Sequence, residues 1–272
     1  MIGNWNFLTD AWDARDLLLD CRSQEAYARS TLRSAHGAAV IKKPYGSGPR
    51  SQAALSGIVE RVRLLAEGCS NIICFDEGIG MYAARMAWIL RAGGLKNIKI
   101  LSLKFQNLPP DQLEPGNTLL IEDSPSASSQ NGESKNPDGL VSISFVQKNL
   151  TRVQLLDVRT PEEYEGIIPR MTNPDPGGLC GRIPGSINWD WRRLYGADGN
   201  LKEKSVLLSD IKRMGLIQER PTVIYDFNGA RSCTAALVLT NCGYRQVNVY
   251  MGSWMEWRKS ALPKQNLRAF AI

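Results

Sequence analysis

The stretch Thr222-Val-Ile-Tyr-Asp226-Phe-Asn-Gly-Ala-Arg231 passes from four strand-forming residues into a short polar loop containing glycine. The residues that follow, Ser232 to Asn241, carry the apolar spacing of an amphipathic helix. The stretch therefore reads as strand, tight loop and helix. A junction of this kind points successive backbone N–H groups at one spot ahead of the helix, making a nest for negative charge. Asp226 opens the loop and Arg231 closes it.

Moving outward, the same order of features occurs twice. Asn71-Ile-Ile-Cys-Phe-Asp76-Glu-Gly-Ile-Gly-Met81 precedes a second amphipathic stretch, Tyr82 to Arg91. Upstream of each loop an apolar run ends in Asp-x-Arg: Asp16-Leu-Leu-Leu-Asp20-Cys-Arg22 and Val153-Gln-Leu-Leu-Asp157-Val-Arg159. This is the pattern of a buried parallel strand whose carboxyl end delivers polar groups. A helical stretch with tyrosine comes next, Gln24 to Tyr27 or Glu162 to Tyr164, and then a turn segment, Ala35 to Ala38 or Gly181 to Asn188. Gly93-Gly94 and Gly243 supply C-caps, and Ile98-Lys-Ile-Leu101 and Val247-Asn-Val-Tyr250 supply last strands.

Alternating strands and helices predict α/β domains with ligands at the carboxyl ends of the strands. At 272 residues, two domains are expected rather than one. A Ser/Asn/Gly/Pro-rich stretch from Ser124 separates the copies. The expected boundaries are an N-terminal domain over 1–107, a linker or loop region over 108–146 and a C-terminal domain over 147–272 carrying the loop 226–231.

These residues resemble the rhodanese (sulfurtransferase) family, in its tandem form that uses thiosulfate or 3-mercaptopyruvate. The resemblance rests on Leu156 to Arg159, on Gly181-Arg-Ile-Pro-Gly-Ser-Ile-Asn188, on the loop Asp226 to Arg231 and on Gly252-Ser-Trp-Met-Glu-Trp257. It implies two rhodanese-like domains, each a mainly parallel sheet flanked by helices, with the N-terminal one non-catalytic. It also implies a cysteine at the first loop position that takes sulfane sulfur from a donor and passes it to an acceptor. Here that position is Asp226, and its counterpart in the first half is Asp76.

A carboxylate cannot carry a persulfide. Placed in the nest, it repels an anionic donor and satisfies the loop amides internally. Asp226 therefore reads as a cap, with a nucleophile or base of another reaction as the sharper alternative. By resemblance, Phe227, Asn228, Gly229, Ala230 and Arg231 form the anion cradle, with Arg159 at the strand end and Arg182 in the cleft-lining segment. Asn228 stands where thiosulfate-preferring members carry a cation, which argues against that preference. Arg231 and Arg159 could equally sit in structural ion pairs, Arg159 with Glu162 or Glu163.

Three readings stay open: a degenerate binding or regulatory module, a sulfurtransferase using Cys180 or Cys233, and an aspartate-based hydrolase or phosphoryl-transfer site built on Asp226. Cys233 falls among apolar neighbours on its helix, whereas Cys180 lies in a Gly-rich loop beside Arg182. His36, the single histidine, is expected in a turn and leaves no Cys–His or Ser–His pair elsewhere.

The six cysteines form no CxxC pair, so free thiols and no metal or other cofactor are expected. A net charge of +6 without a run of five basic residues gives little support to nucleic-acid binding. The first residues lack a signal-peptide pattern and no stretch reaches the length of a membrane span, so a cytoplasmic location is expected. The expected partner is a small anionic sulfur compound or other small anion, or else a protein.

Overall fold

The computed structural model describes residues 5–38, 46–78, 80–117, 139–167 and 180–265. The chain divides into two units. The first holds residues 1–43, 48–138 and 199–201, and the second holds 44–47, 139–198 and 202–272.

The first unit contains β1 (Leu8–Thr9), β2 (Leu17–Asp20), α1 (Gln24–Arg29), β3 (Thr31–Leu32), β4 (His36–Gly37), α2 (Pro49–Leu65), β5 (Ile72–Phe75), α3 (Met81–Ala92), β6 (Ile98–Leu101) and β7 (Leu113–Glu114). Its main sheet has the order β1-β6-β5-β2-β4, with every neighbouring pair parallel. β3 and β7 form a separate antiparallel pair. The central strands β2 and β5 are buried along their whole length, as strands covered on both faces must be.

The second unit contains β8 (Leu140–Val141), α4 (Ile143–Asn149), β9 (Gln154–Asp157), α5 (Pro161–Glu165), β10 (Ile187–Asn188), α6 (Lys204–Arg213), β11 (Thr222–Tyr225), α7 (Arg231–Asn241), β12 (Val247–Tyr250) and α8 (Ser253–Trp257). Its sheet order, β10-β9-β11-β12-β8, is again all parallel and repeats the first. β9 pairs with β11 so that Asp157 lies opposite Tyr225, just as Asp20 lies opposite Phe75 across β2 and β5. Both Asp-x-Arg motifs thus end beside the start of a loop.

Two expectations change. The ends of the stretch 108–146 are structured: β7 pairs with β3 in the first unit, while β8 is the edge strand of the second sheet. Residues 118–138 lie outside the described residues, and with them most of the expected linker. His36 sits in β4 opposite Leu19 rather than in a turn, and burial pulls its imidazole below the usual histidine value.

The second core gathers Val146, Val153, Leu155, Ile183, Val223, Tyr225, Tyr250, Trp254 and Trp257. Tyr225 also donates its hydroxyl to Ser186 Oγ (3.0 Å) and accepts the Ile183 N–H (3.1 Å), so the strand before the loop is tied to the Gly181–Asn188 segment. Among the described residues, no helix is long and apolar enough to cross a membrane.

Candidate functional site

The loop between β11 and α7 is closed around its own first side chain. Asp226 is fully buried. Its Oδ1 accepts the N–H groups of Asn228 (2.7 Å) and Gly229, and its Oδ2 those of Arg231 and Ser232 (3.1 Å). These are amides of the cradle that the resemblance implies at Asn228, Gly229 and Arg231. They face the Asp226 carboxylate, because a tethered anion has no entropy of capture to overcome. Gly229 turns the loop at φ +83°, and a Cβ there would lie 2.7 Å from the Met251 carbonyl oxygen. Ala230 is buried, whereas Phe227 and Asn228 are half-buried at the loop's outer edge.

The start of α8 supports the loop from the other side. The Ser253 hydroxyl accepts the Asp226 N–H (3.2 Å) and donates to the Tyr250 carbonyl (2.7 Å). Trp254 N–H donates to Asp226 O (3.0 Å), and Met255 N–H to Phe227 O (2.9 Å). Farther along α8, Glu256 accepts the Tyr250 hydroxyl (2.8 Å) and both the N–H (2.7 Å) and hydroxyl (2.8 Å) of Ser47, which belongs to this unit. The sequence marks Glu256 and Ser253 only as members of the Gly252–Trp257 motif, because their partners are remote or main-chain groups.

The cations are mostly engaged. Arg159 was expected to face a donor anion or to pair with Glu162 or Glu163. It lies buried and pairs instead with Asp157, through Nε (3.0 and 3.1 Å) and Nη2 (2.6 Å), while Nη2 also reaches Gly181 O (2.8 Å). The Trp254 ring lies 4.9 Å from its guanidinium. Burial disfavours the charge on Arg159, but Asp157 outweighs it and raises the guanidinium above the usual arginine value.

Arg231 forms a two-pronged pair with Glu163, at 2.8 and 3.1 Å, and its Nε lies 3.9 Å from Asp226. Glu163 also closes a capping box with Thr160 at the start of α5. Burial pushes the Glu163 carboxyl up. The hydrogen bonds and charge of Arg231, with help from the Thr160 N–H, more than reverse this and hold it below the usual glutamate value.

Arg182 is different. Its guanidinium lies 4.4 Å from the Tyr164 ring centre and has no ion-pair partner among the described residues, and its Nη1 is buried without a hydrogen bond there.

Neither alternative cysteine is presented by the loop. Cys233 is fully buried, with Sγ directed at Gly229 O (3.2 Å). Cys180 is partly exposed, at the edge of the described segment.

The first unit repeats the arrangement. Asp76 accepts the N–H groups of Gly78 (3.0 Å), Gly80 (3.0 Å), Tyr82 (3.2 Å) and Ala83 (3.1 Å). Burial pushes its carboxyl above the usual aspartate value, against the pull of those four amides. Arg22 pairs with Asp20 as Arg159 does with Asp157, through Nε (3.0 and 3.1 Å) and Nη2 (2.6 Å).

Comparisons with known proteins agree with this fold. A family model for the rhodanese-like domain matches residues 143–260. The 3-mercaptopyruvate sulfurtransferase of Escherichia coli O157:H7 is 27% identical over 203 residues, which cover 73% of this chain and 69% of that protein. The thiosulfate sulfurtransferase of Rattus norvegicus is 29% identical over 200 residues, covering 72% of this chain and 65% of that protein. A solved structure of a Probable Thiosulfate Sulfurtransferase superposes with a TM-score of 0.61 at 22% identity, covering 94% of this chain and 99% of that one. Residues 143–260 thus form a rhodanese-like domain, and the chain, with two mainly parallel, helix-flanked sheets of matching order, is similar to the rhodanese sulfurtransferases.

Proposed function

We propose that this protein is a degenerate rhodanese that performs no persulfide chemistry at its loop and acts as a binding or regulatory module. The observation that carries the reading is the Asp226 carboxylate, fully buried and accepting four backbone N–H groups where the family places a thiolate. The family reaction forms a bond from cysteine sulfur to the donor's sulfane sulfur, releasing sulfite or pyruvate. A nucleophile such as cyanide then takes that sulfur and frees the thiolate. An oxygen nucleophile held in four hydrogen bonds supplies neither the sulfur nor an open nest. An external small anion would fall to Arg182, whose guanidinium has no ion-pair partner among the described residues.

The test is an assay with thiosulfate or 3-mercaptopyruvate plus cyanide. The native chain should give no thiocyanate. Asp226→Cys should restore a donor-dependent mass increase of one sulfur atom, because the amides that now hold the carboxylate would then stabilise a thiolate. Native turnover abolished by Cys180→Ser or Cys233→Ser would overturn the proposal in favour of a displaced nucleophile.

A further inference from the structure

We propose that the first domain carries a small-molecule site separate from its loop, whose ligand is a free amino acid with a flat or apolar side chain. The site is a cavity of about 450 Å³ between residues 11–16, the Arg33–Ser34 turn and Gln112. That volume falls in the range of roughly 300–1,000 Å³ typical of small-ligand pockets. It lies beside Leu18, near the amino end of β2, whereas the Asp76 loop follows the carboxyl end of β5.

The walls are fixed by their own hydrogen bonds. Thr9 Oγ1 donates to Ala11 O (2.8 Å), Asp13 N–H to Asp16 Oδ2 (3.0 Å) and Asn71 Nδ2 to Asp16 Oδ1 (2.8 Å). Across the cavity, Arg33 N–H donates to Gln112 O (2.9 Å) and Ser34 N–H to Glu114 Oε1 (2.9 Å). Ser34 is held at φ +61°, a left-handed conformation that a residue with a Cβ adopts at a cost and that concentrates at ligand clamps. Trp12 and Leu18 supply the apolar surface, Trp12 packing on the first-domain core with part of its ring exposed.

The charges select the ligand. Asp13 is already engaged by the Arg15 N–H (2.7 Å) and Nη2 (3.1 Å). Asp16 accepts one hydrogen bond on each oxygen and keeps further acceptor capacity on both. Arg33 is exposed, and its guanidinium makes no ion pair among the described residues. Besides the Asp13 carboxylate, paired with Arg15, the lining thus offers one guanidinium and one carboxylate. A simple anion is repelled by Asp16 and a simple cation by Arg33, whereas a zwitterion satisfies both, with its flat group on Trp12.

Calorimetric titration of the full chain with L-phenylalanine tests this, with 3-phenylpropionate lacking the ammonium and phenethylamine lacking the carboxylate. Saturable binding is expected for L-phenylalanine, with both analogues weaker by about tenfold, the order of one lost charge-assisted hydrogen bond. Arg33→Ala, an exposed change that leaves the core untouched, should weaken L-phenylalanine about tenfold and leave phenethylamine as tight or tighter, since the cation that repels it is gone. Absence of saturable binding in the millimolar range, equal affinity for either analogue or indifference to Arg33→Ala would each overturn the site. None of these outcomes depends on whether the Asp226 loop is catalytic.

Discussion

In the first domain the Asp76 carboxylate takes the amides two, four, six and seven residues on; in the second, Asp226 takes those two, three, five and six residues on. One extra residue is absorbed in the first loop, and in each copy one carboxylate oxygen takes two consecutive N–H groups in the first turn of the helix, Tyr82 and Ala83 or Arg231 and Ser232. What lies behind the two carboxylates differs. Arg231, the third donor to Asp226, is anchored to buried Glu163, whereas its counterpart Tyr82 is 38% exposed. Glu163 itself corresponds to Ala26, since each donates its N–H to the cap hydroxyl, Thr160 or Ser23. The first loop is therefore a self-contained cap. The second is the end of a buried charge row running Asp157–Arg159, Glu163–Arg231, Asp226. A duplicated backbone device recurs in both copies, but only the second stands at the end of a buried charge row.

The largest effect should come from removing either cap. Asp226→Ala leaves four amides without their acceptor, at about 1–3 kcal/mol for each one that stays dry, so a loss of about 4 kcal/mol or more is expected. Asp76→Ala should cost about as much, as followed by denaturant unfolding with hydrogen exchange to locate the affected domain. A loss below about 1 kcal/mol for Asp226→Ala would break the equivalence of the two loops.

Next in size is Glu163→Ala, which strands buried Arg231 and should cost about 3–5 kcal/mol. The first domain has no corresponding pair to lose. The double variant with Arg231→Ala should be markedly less damaged than the two single losses added together, as a double-mutant cycle would show. Simple additivity would mean that the pair does not couple loop to helix.

Acid gives the smallest and most discriminating effect. Glu163 is held below its unfolded value, so its stabilisation is present above that value and disappears as the pH falls through the folded one. Asp76 is held above its unfolded value, so its contribution is fully present below that value and is lost as the pH rises through the folded one. Acidification should therefore deprotect the Asp226-loop amides before the Asp76-loop amides, read by exchange at stepped pH. The reverse order would contradict the contrast between the domains.

The duplication was legible because Asp-x-Arg, the tyrosine helix and the loop recur in the same order, and each feature follows from local chain geometry. The edge strands β1 and β8 are not legible, because they have two residues each, too few to show any periodicity, and β8 falls within the expected linker region. At the site, internal satisfaction of the loop followed from the charge on Asp226 alone. The helical neighbours Glu162 and Glu163 do not reveal the partner of Arg159, which is Asp157, two residues back on the strand. At a strand end, residues two apart point to the same side, and the shorter reach wins. The Arg231–Glu163 pair spans 68 positions, and nothing local in the sequence announces it.

The clasp of Ser47 on Glu256 bears on how the protein is made. Ser47 precedes its acceptor by 209 positions, and the next residue already belongs to the other unit. During synthesis the donor leaves the ribosome long before the carboxylate it will hold, so the second domain can be completed only when nearly the whole chain is out. A gene fragment starting at residue 139 would encode every strand of that sheet and still lack two of the three hydrogen bonds described to Glu256. The domains are separable on a map of the sequence, but not with scissors.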